Sequence, residues 1–166
     1  MLKSIFGMAV LSLYFIACTP SNTTTSNTTL SMESISAEEK TAIKALILGA
    51  FDDLWGGMDS TKILNYHTPD FYILEHGEVW DNAKITSWMK GRLQYENRPL
   101  RVNSMEYIDW HKYGSSITCS YHNYAKFMQG DTLAAEGQWL ESALAVQTDE
   151  GWRLKMMHST RVRRDK

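Results

Sequence analysis

The sequence predicts an α+β domain: a curved antiparallel sheet wrapped around three N-terminal helices, cone-shaped, with an interior pocket. Two features predict it. Up to Leu93 the apolar residues recur at helical spacing, broken once by a short extended stretch; from Leu100 onward they alternate with a period of two. The helical segments all precede the long strands, so they must gather on one face of the sheet. A sheet that bends around a long helix leaves a cone with space inside.

Ser36 and Glu39 have capping-box spacing and open the first helix. Ile43, Leu46, Ile47, Ala50, Phe51 and Leu54 then form one continuous apolar face, and Gly56–Gly57 ends it. A short second helix is expected over 59–66, with Ile63 and Leu64 inward and Pro69 closing the segment. The run from Asp70 to Trp80 reads as a strand, a turn at His76–Gly77 and a short return. Asp81 caps a third helix whose face is Ile85, Trp88, Met89 and Leu93, and Pro99 bars its extension. Strands are expected near 100–110, 116–128, 132–146 and 152–163, joined at Gly114, Gly130–Asp131 and 149–151 as an antiparallel meander.

The N-terminus is different. Lys3, an apolar run from Ile5 to Ala17, and Cys18 have the layout of a secretory leader, and the run is short for a membrane span. The sequence FIAC, Phe15 to Cys18, resembles a bacterial lipobox, with Phe15 where leucine is usual. We therefore expect residues 1–18 to be a lipoprotein signal peptide. Cys18 is then the lipidation site, membrane attachment runs through it, and the domain sits in the bacterial cell envelope facing the periplasm or the exterior. Residues 19–35 are rich in Ser, Thr and Asn and read as a flexible tether; residues 36–166 are the folded domain.

The chain has 166 residues, enough for one domain, and a formal net charge of −2, which does not favour a nucleic-acid partner. Of its two cysteines, only Cys119 remains beyond Cys18, so the folded domain has no internal disulfide. No HExxH motif, Cys–His cluster, phosphate loop or nucleophile elbow is present, so no metal and no cofactor are expected.

The final hairpin carries the candidate chemistry. If Gln147 pairs with Trp152, then Ala145 meets Leu154, Ala143 meets Met156, Glu141 meets His158 and Trp139 meets Thr160, all on one face. The apolar pairs mark that face as interior. A carboxylate and an imidazole would then share an apolar cup, as an acid–base pair, a ligand anchor or a structural ion pair. A bulge would shift the register and break the pairing. Tyr121 and His122 are neighbours on a strand, so only one faces inward: a symmetric Gly130–Asp131 turn favours His122, and a one-residue bulge favours Tyr121. Trp80, Trp88, Trp110 and Trp139 read as core, with one or two free to line a ligand pocket.

The phrases DFYILEHGEVW, WLES and GWRLKMMHSTR resemble the nuclear transport factor 2-like fold, also called SnoaL-like or ketosteroid-isomerase-like, within a bacterial secreted or lipid-anchored subgroup. The resemblance covers residues 36–162. It implies a cone pocket and, in many members, dimerisation through the outer sheet face. It favours Tyr121 over His122 as the inward residue. Aligning PDFYILE on the isomerases places Glu75 near their carboxylate base, either as a base here or as a solvent-facing charge at the strand end. No tyrosine lies between Ser36 and Asn65, where the isomerase oxyanion-hole tyrosine is expected, so ketosteroid chemistry is not anticipated. The superfamily holds isomerases, dehydratases, cyclases, binders and interaction modules, so the fold assigns no reaction. The expectation is a small-molecule binder with Tyr121, Trp139, Trp80 and Trp88 around the ligand. The alternatives are an isomerase-, dehydratase- or hydrolase-type enzyme using Glu75 or His158 as base, with Glu141 in the site, and a dimeric interaction module.

Overall fold

In the computed structural model, residues 33–163 are described. The expected leader with Cys18, and the tether up to residue 32, lie outside the described residues. Glu33 already touches the sheet, donating its backbone N–H to Lys112 O at 3.2 Å. The capping box forms: Ser36 Oγ accepts from Glu39 N at 3.1 Å, and Glu39 Oε2 accepts from Ser36 N at 3.0 Å. It opens helix α1 (Ala37–Ala50), which buries Ile43, Leu46, Ile47 and Ala50.

The chain then widens into a π-helical turn over Phe51–Gly56. Gly57 N donates to Asp52 O at 2.7 Å, five residues back, and Asp59 N to Asp53 O at 3.0 Å. Only glycine fits at position 57, because a Cβ there would sit 2.8 Å from the Asp53 carbonyl oxygen. Met58 follows with φ 61° and is buried. Such widened turns recur at functional sites, and this one aims Phe51 and Trp55 at the cavity described below.

A 3₁₀ turn (Ser60–Lys62) leads into α2 (Ile63–Tyr66). Ile63 is buried, but Leu64, expected inward, is 58% exposed. Successive helical residues point about 100° apart, and in this single turn the direction that seats Ile63 in the core leaves Leu64 toward solvent. Pro69 does not close this segment: the chain turns extended at His67, and Pro69 lies inside strand β1 (His67–Glu75). It falls where the β1 pairing is irregular, so its missing N–H breaks no regular ladder. After β2 (Glu78–Asp81), Asp81 Oδ1 accepts from Lys84 N at 2.7 Å and caps α3 (Asn82–Leu93). Ile85 and Met89 are buried there, whereas Leu93, at the helix end, is exposed.

The four long strands are β3 (Leu100–Tyr113), β4 (Ser116–Gln129), β5 (Thr132–Thr148) and β6 (Gly151–Arg161). The sheet order is β2-β1-β6-β5-β4-β3, antiparallel except for β1 beside β6. The result is an α+β fold, a curved and unclosed sheet packed on its helices. Three bulges punctuate it, between Tyr107 and Asp109, between Leu133 and Ala135, and at Lys155. Bulges bend a strand and add twist, which lets a sheet of this length curl.

Gly57→Ala should cost about 1–3 kcal/mol of stability, because the new methyl group meets backbone and not a movable side chain. Urea denaturation of the variant beside the parent measures it.

Candidate functional site

Alternation along each strand decides which side chains enter the cone. Near the β5–β6 turn the expected register holds: Gln147 opposes Trp152 and Ala145 opposes Leu154. The bulge at Lys155 then shifts it by one. Ala143 opposes Met157, Ser142 opposes His158, Glu141 opposes Ser159 and Trp139 opposes Arg161. The Glu141–His158 pair is therefore corrected. His158 lies on the outer face, exposed, beside Leu74 of β1. Ser159 takes the inward position and is buried. The extra residue on β5, Ala134, resolves the neighbouring alternative: Tyr121 faces in, wholly buried, opposite Glu141, and His122 faces out.

Glu141 is 4% exposed. Its Oε1 accepts from Ser159 Oγ at 3.0 Å and its Oε2 from Asn123 Nδ2 at 3.2 Å. Burial pushes its pKa up to about 7, against the opposing pull of Ser159, Arg101 and Asn123. The Tyr121 hydroxyl is close enough to Glu141 to feel its charge, but it has no partner in hydrogen-bond geometry. Burial above all raises its pKa well beyond the ordinary value. Tyr121 thus backs the site and does not line the cavity.

The cavity, about 260 Å³, opens between the π turn, α3 and the inner face of the sheet. Trp55, Trp80, Trp88 and Trp139 wall it with Phe51 and Phe127. Trp55 meets Trp88 edge-on, with centroids 5.6 Å apart, and Trp88 meets Trp80 at 6.1 Å. Trp139 lies across Gly137, where an added Cβ would come within 2.5 Å of its ring. Of the tryptophans expected at a ligand, Trp80, Trp88 and Trp139 all line the cavity, while Trp110 packs against the core.

Glu75 lines the cavity too, with its side chain only 16% exposed, so it is not the solvent-facing charge of the alternative reading. It pairs with His76 Nε2 at 2.9 Å. Burial raises its pKa, opposed by the nearby His76.

Sequence reasoning missed the arginines. Arg101, on β3, donates from Nε to Asn103 Oδ1 at 2.9 Å. Its guanidinium carbon lies 4.7 Å from the Trp139 centroid, 5.2 Å from Phe51 and 5.9 Å from Phe127. Arg98 donates from Nη1 to Gly56 O at 2.8 Å, covering the end of the π turn, and Arg92 reaches the same cavity from α3. The available signal was the inward phase of β3, on which Arg101, Asn103, Met105 and Tyr107 alternate with exposed residues. Among the described residues, no group of three or more His, Cys, Asp or Glu side chains is arranged to hold a metal.

This geometry defines a class. Solved structures with the same architecture include Aln2 from a Streptomyces species, at 9% identity and TM-score 0.66 over 78% of this chain and 94% of that one. A protein of unknown function with a cystatin-like fold from Nostoc punctiforme aligns at 11% identity and TM-score 0.64, over 78% and 96%. The Chlamydomonas reinhardtii CaMKII hub homology domain aligns at 16% and 0.63, over 75% and 98%. The chain has the cystatin-like, nuclear transport factor 2-like cone fold. No family model matches it, and no curated protein does.

Glu141 has a stability signature. Its folded-state pKa of about 7 lies above the ordinary 4.5, so the folded chain holds a proton that the unfolded chain releases. Its contribution is most favourable below pH 4.5 and is lost as pH rises through 7. The loss is about 3 kcal/mol at the limit. Glu141→Gln should remove this slope, read from urea midpoints at about pH 5 and about pH 8.

Proposed function

We propose that this chain is a lipid-anchored exported domain, of the SnoaL-like cone type, that holds a small, partly apolar ligand in its cavity. One observation carries the reading: an aromatic-walled cavity whose polar groups, Arg101, Glu75, Glu141 and Ser159, converge on it. Tryptophan walls supply apolar contact, and a few fixed polar groups orient a ligand, which is the usual build of a small-molecule site. Cys18 and the Ser-, Thr- and Asn-rich linker sequence after it fit a domain tethered at a membrane surface.

An enzyme of isomerase, dehydratase or hydrolase type is the second reading. It rests on Glu75, a cavity carboxyl with a raised pKa, and not on His158, which lies on the outer face. Association through the outer sheet face is a third, supported by exposed Val102, Ile108 and Leu140 and by the hub domain among the similar folds.

Native mass spectrometry of the full chain from its own host tests the first reading. A small molecule retained natively and lost on denaturation is expected; its mass changing on incubation would favour the enzyme, and an empty dimer the association module. Cys18→Ala should move the protein out of the membrane fraction on fractionation, and unchanged membrane association without lipid would overturn the anchor.

A further inference from the structure

We propose that the cavity is an anion site, and that its ligand is a small aromatic carboxylic acid whose carboxylate seats on the Nη edge of Arg101. The inference deepens the binding reading and rests on it.

Arg101 is a guanidinium with one edge unused. Its Nε is taken by Asn103, and aromatic rings lie over it from three residues. Its two Nη groups donate to no described residue, and no described carboxylate comes within ion-pair distance of it, although the residue lines the cavity. Burial lowers its pKa, and Glu141 and Glu75 offset this only through space. A guanidinium held partly out of water with free donors favours an anion that takes two parallel hydrogen bonds, and carboxylates do so.

The carboxyls of the cavity are, by contrast, already partnered. Glu141 accepts from Ser159 and Asn123, and Glu75 pairs with His76. A ligand ammonium would have to displace those contacts, whereas a ligand carboxylate finds Arg101 open. Three arginines line the cavity against two carboxyls whose protons burial retains, so positive charge is in excess there and an anion is favoured. The rest of the ligand meets Trp55, Trp80, Trp88 and Phe127, surfaces suited to a flat ring in edge or offset contact.

Phenylacetate, phenylacetamide and phenethylamine share one body and differ in charge. Calorimetric titration of each into the full chain should show phenylacetate binding about tenfold more tightly than the amide, and the amine most weakly. In Arg101→Gln, the acid should fall to within about twofold of the amide while the amide keeps its affinity. That retained amide binding, with an unchanged circular dichroism spectrum, separates loss of the anion contact from loss of the fold. Should the amide or amine bind as well as the acid, the anion assignment is overturned and the cavity stands as a binding site. Should none of the three bind, the anion assignment falls and the binding reading loses its support with it.

Discussion

The pleat of the sheet, with its bulges, is the constraint on which everything else in this domain depends. A strand presents every second residue to the cone, so one inserted residue exchanges the inner and outer sets beyond it. Lys155 is such an insertion on β6. Below it, Leu154 faces inward as strict alternation requires; above it, Met157 and Ser159 are the buried residues and His158 is left outside. The insertion at Ala134 does the same for β4 against β5, and turns Tyr121 in. Together they bring Tyr121, Asn123, Glu141 and Ser159 to one polar cluster. Without them, an imidazole would stand in the cone where a hydroxyl stands now.

The cluster gains its chemistry from where the sheet places it. Glu141 would be an ordinary carboxylate in water. Buried between Ser159 and Asn123, it becomes a group that titrates near neutrality. Two hydrogen bonds and the field of Arg101 offset part of the desolvation and leave the rest as a raised pKa. The same burial makes Arg101 notable. A cation in this position needs compensation, and the protein supplies aromatic faces and distant carboxyls in place of a direct ion pair. The widened turn at Phe51–Gly56 completes the wall, and Arg98, bonded to Gly56 O, ties that turn to the chain entering β3.

Fold and site were legible to different degrees. Capping at Ser36 and Asp81, the α1 face, the glycine stop and the four long strands are local patterns, and each formed close to where periodicity and turn residues put it. The errors had local causes too. Leu64, apolar and expected inward, faces solvent because this single turn seats Ile63 in the core instead. Glu141 follows from the phase of the final hairpin, Glu75 from the resemblance, and Trp80, Trp88 and Trp139 from their aromatic bulk; the structure puts all five on the cavity wall, where the sequence leaves Glu75 open and most of the tryptophans in the core. Arg101 was missed because an arginine on an exposed-looking strand reads as solvated; nothing near it in sequence shows that Phe51, Phe127 and Trp139 will close over it.

By itself, the sequence determined the class of the domain: three helical segments, a period change at Leu100, and a sheet obliged to put its helices on one face. Those properties are written in residue spacing, which the backbone reads over a few neighbours. Only the tertiary structure decided the site. Glu141 meets Ser159 and not His158, Tyr121 backs the cavity and does not line it, and Arg101 sits among rings from the π turn, β4 and β5. A bulge costs little locally and is weakly encoded, yet it reassigns every side chain beyond it. Burial, which sets the charge state of Glu141 and the need of Arg101 for a partner, exists only once segments distant in the chain have packed together.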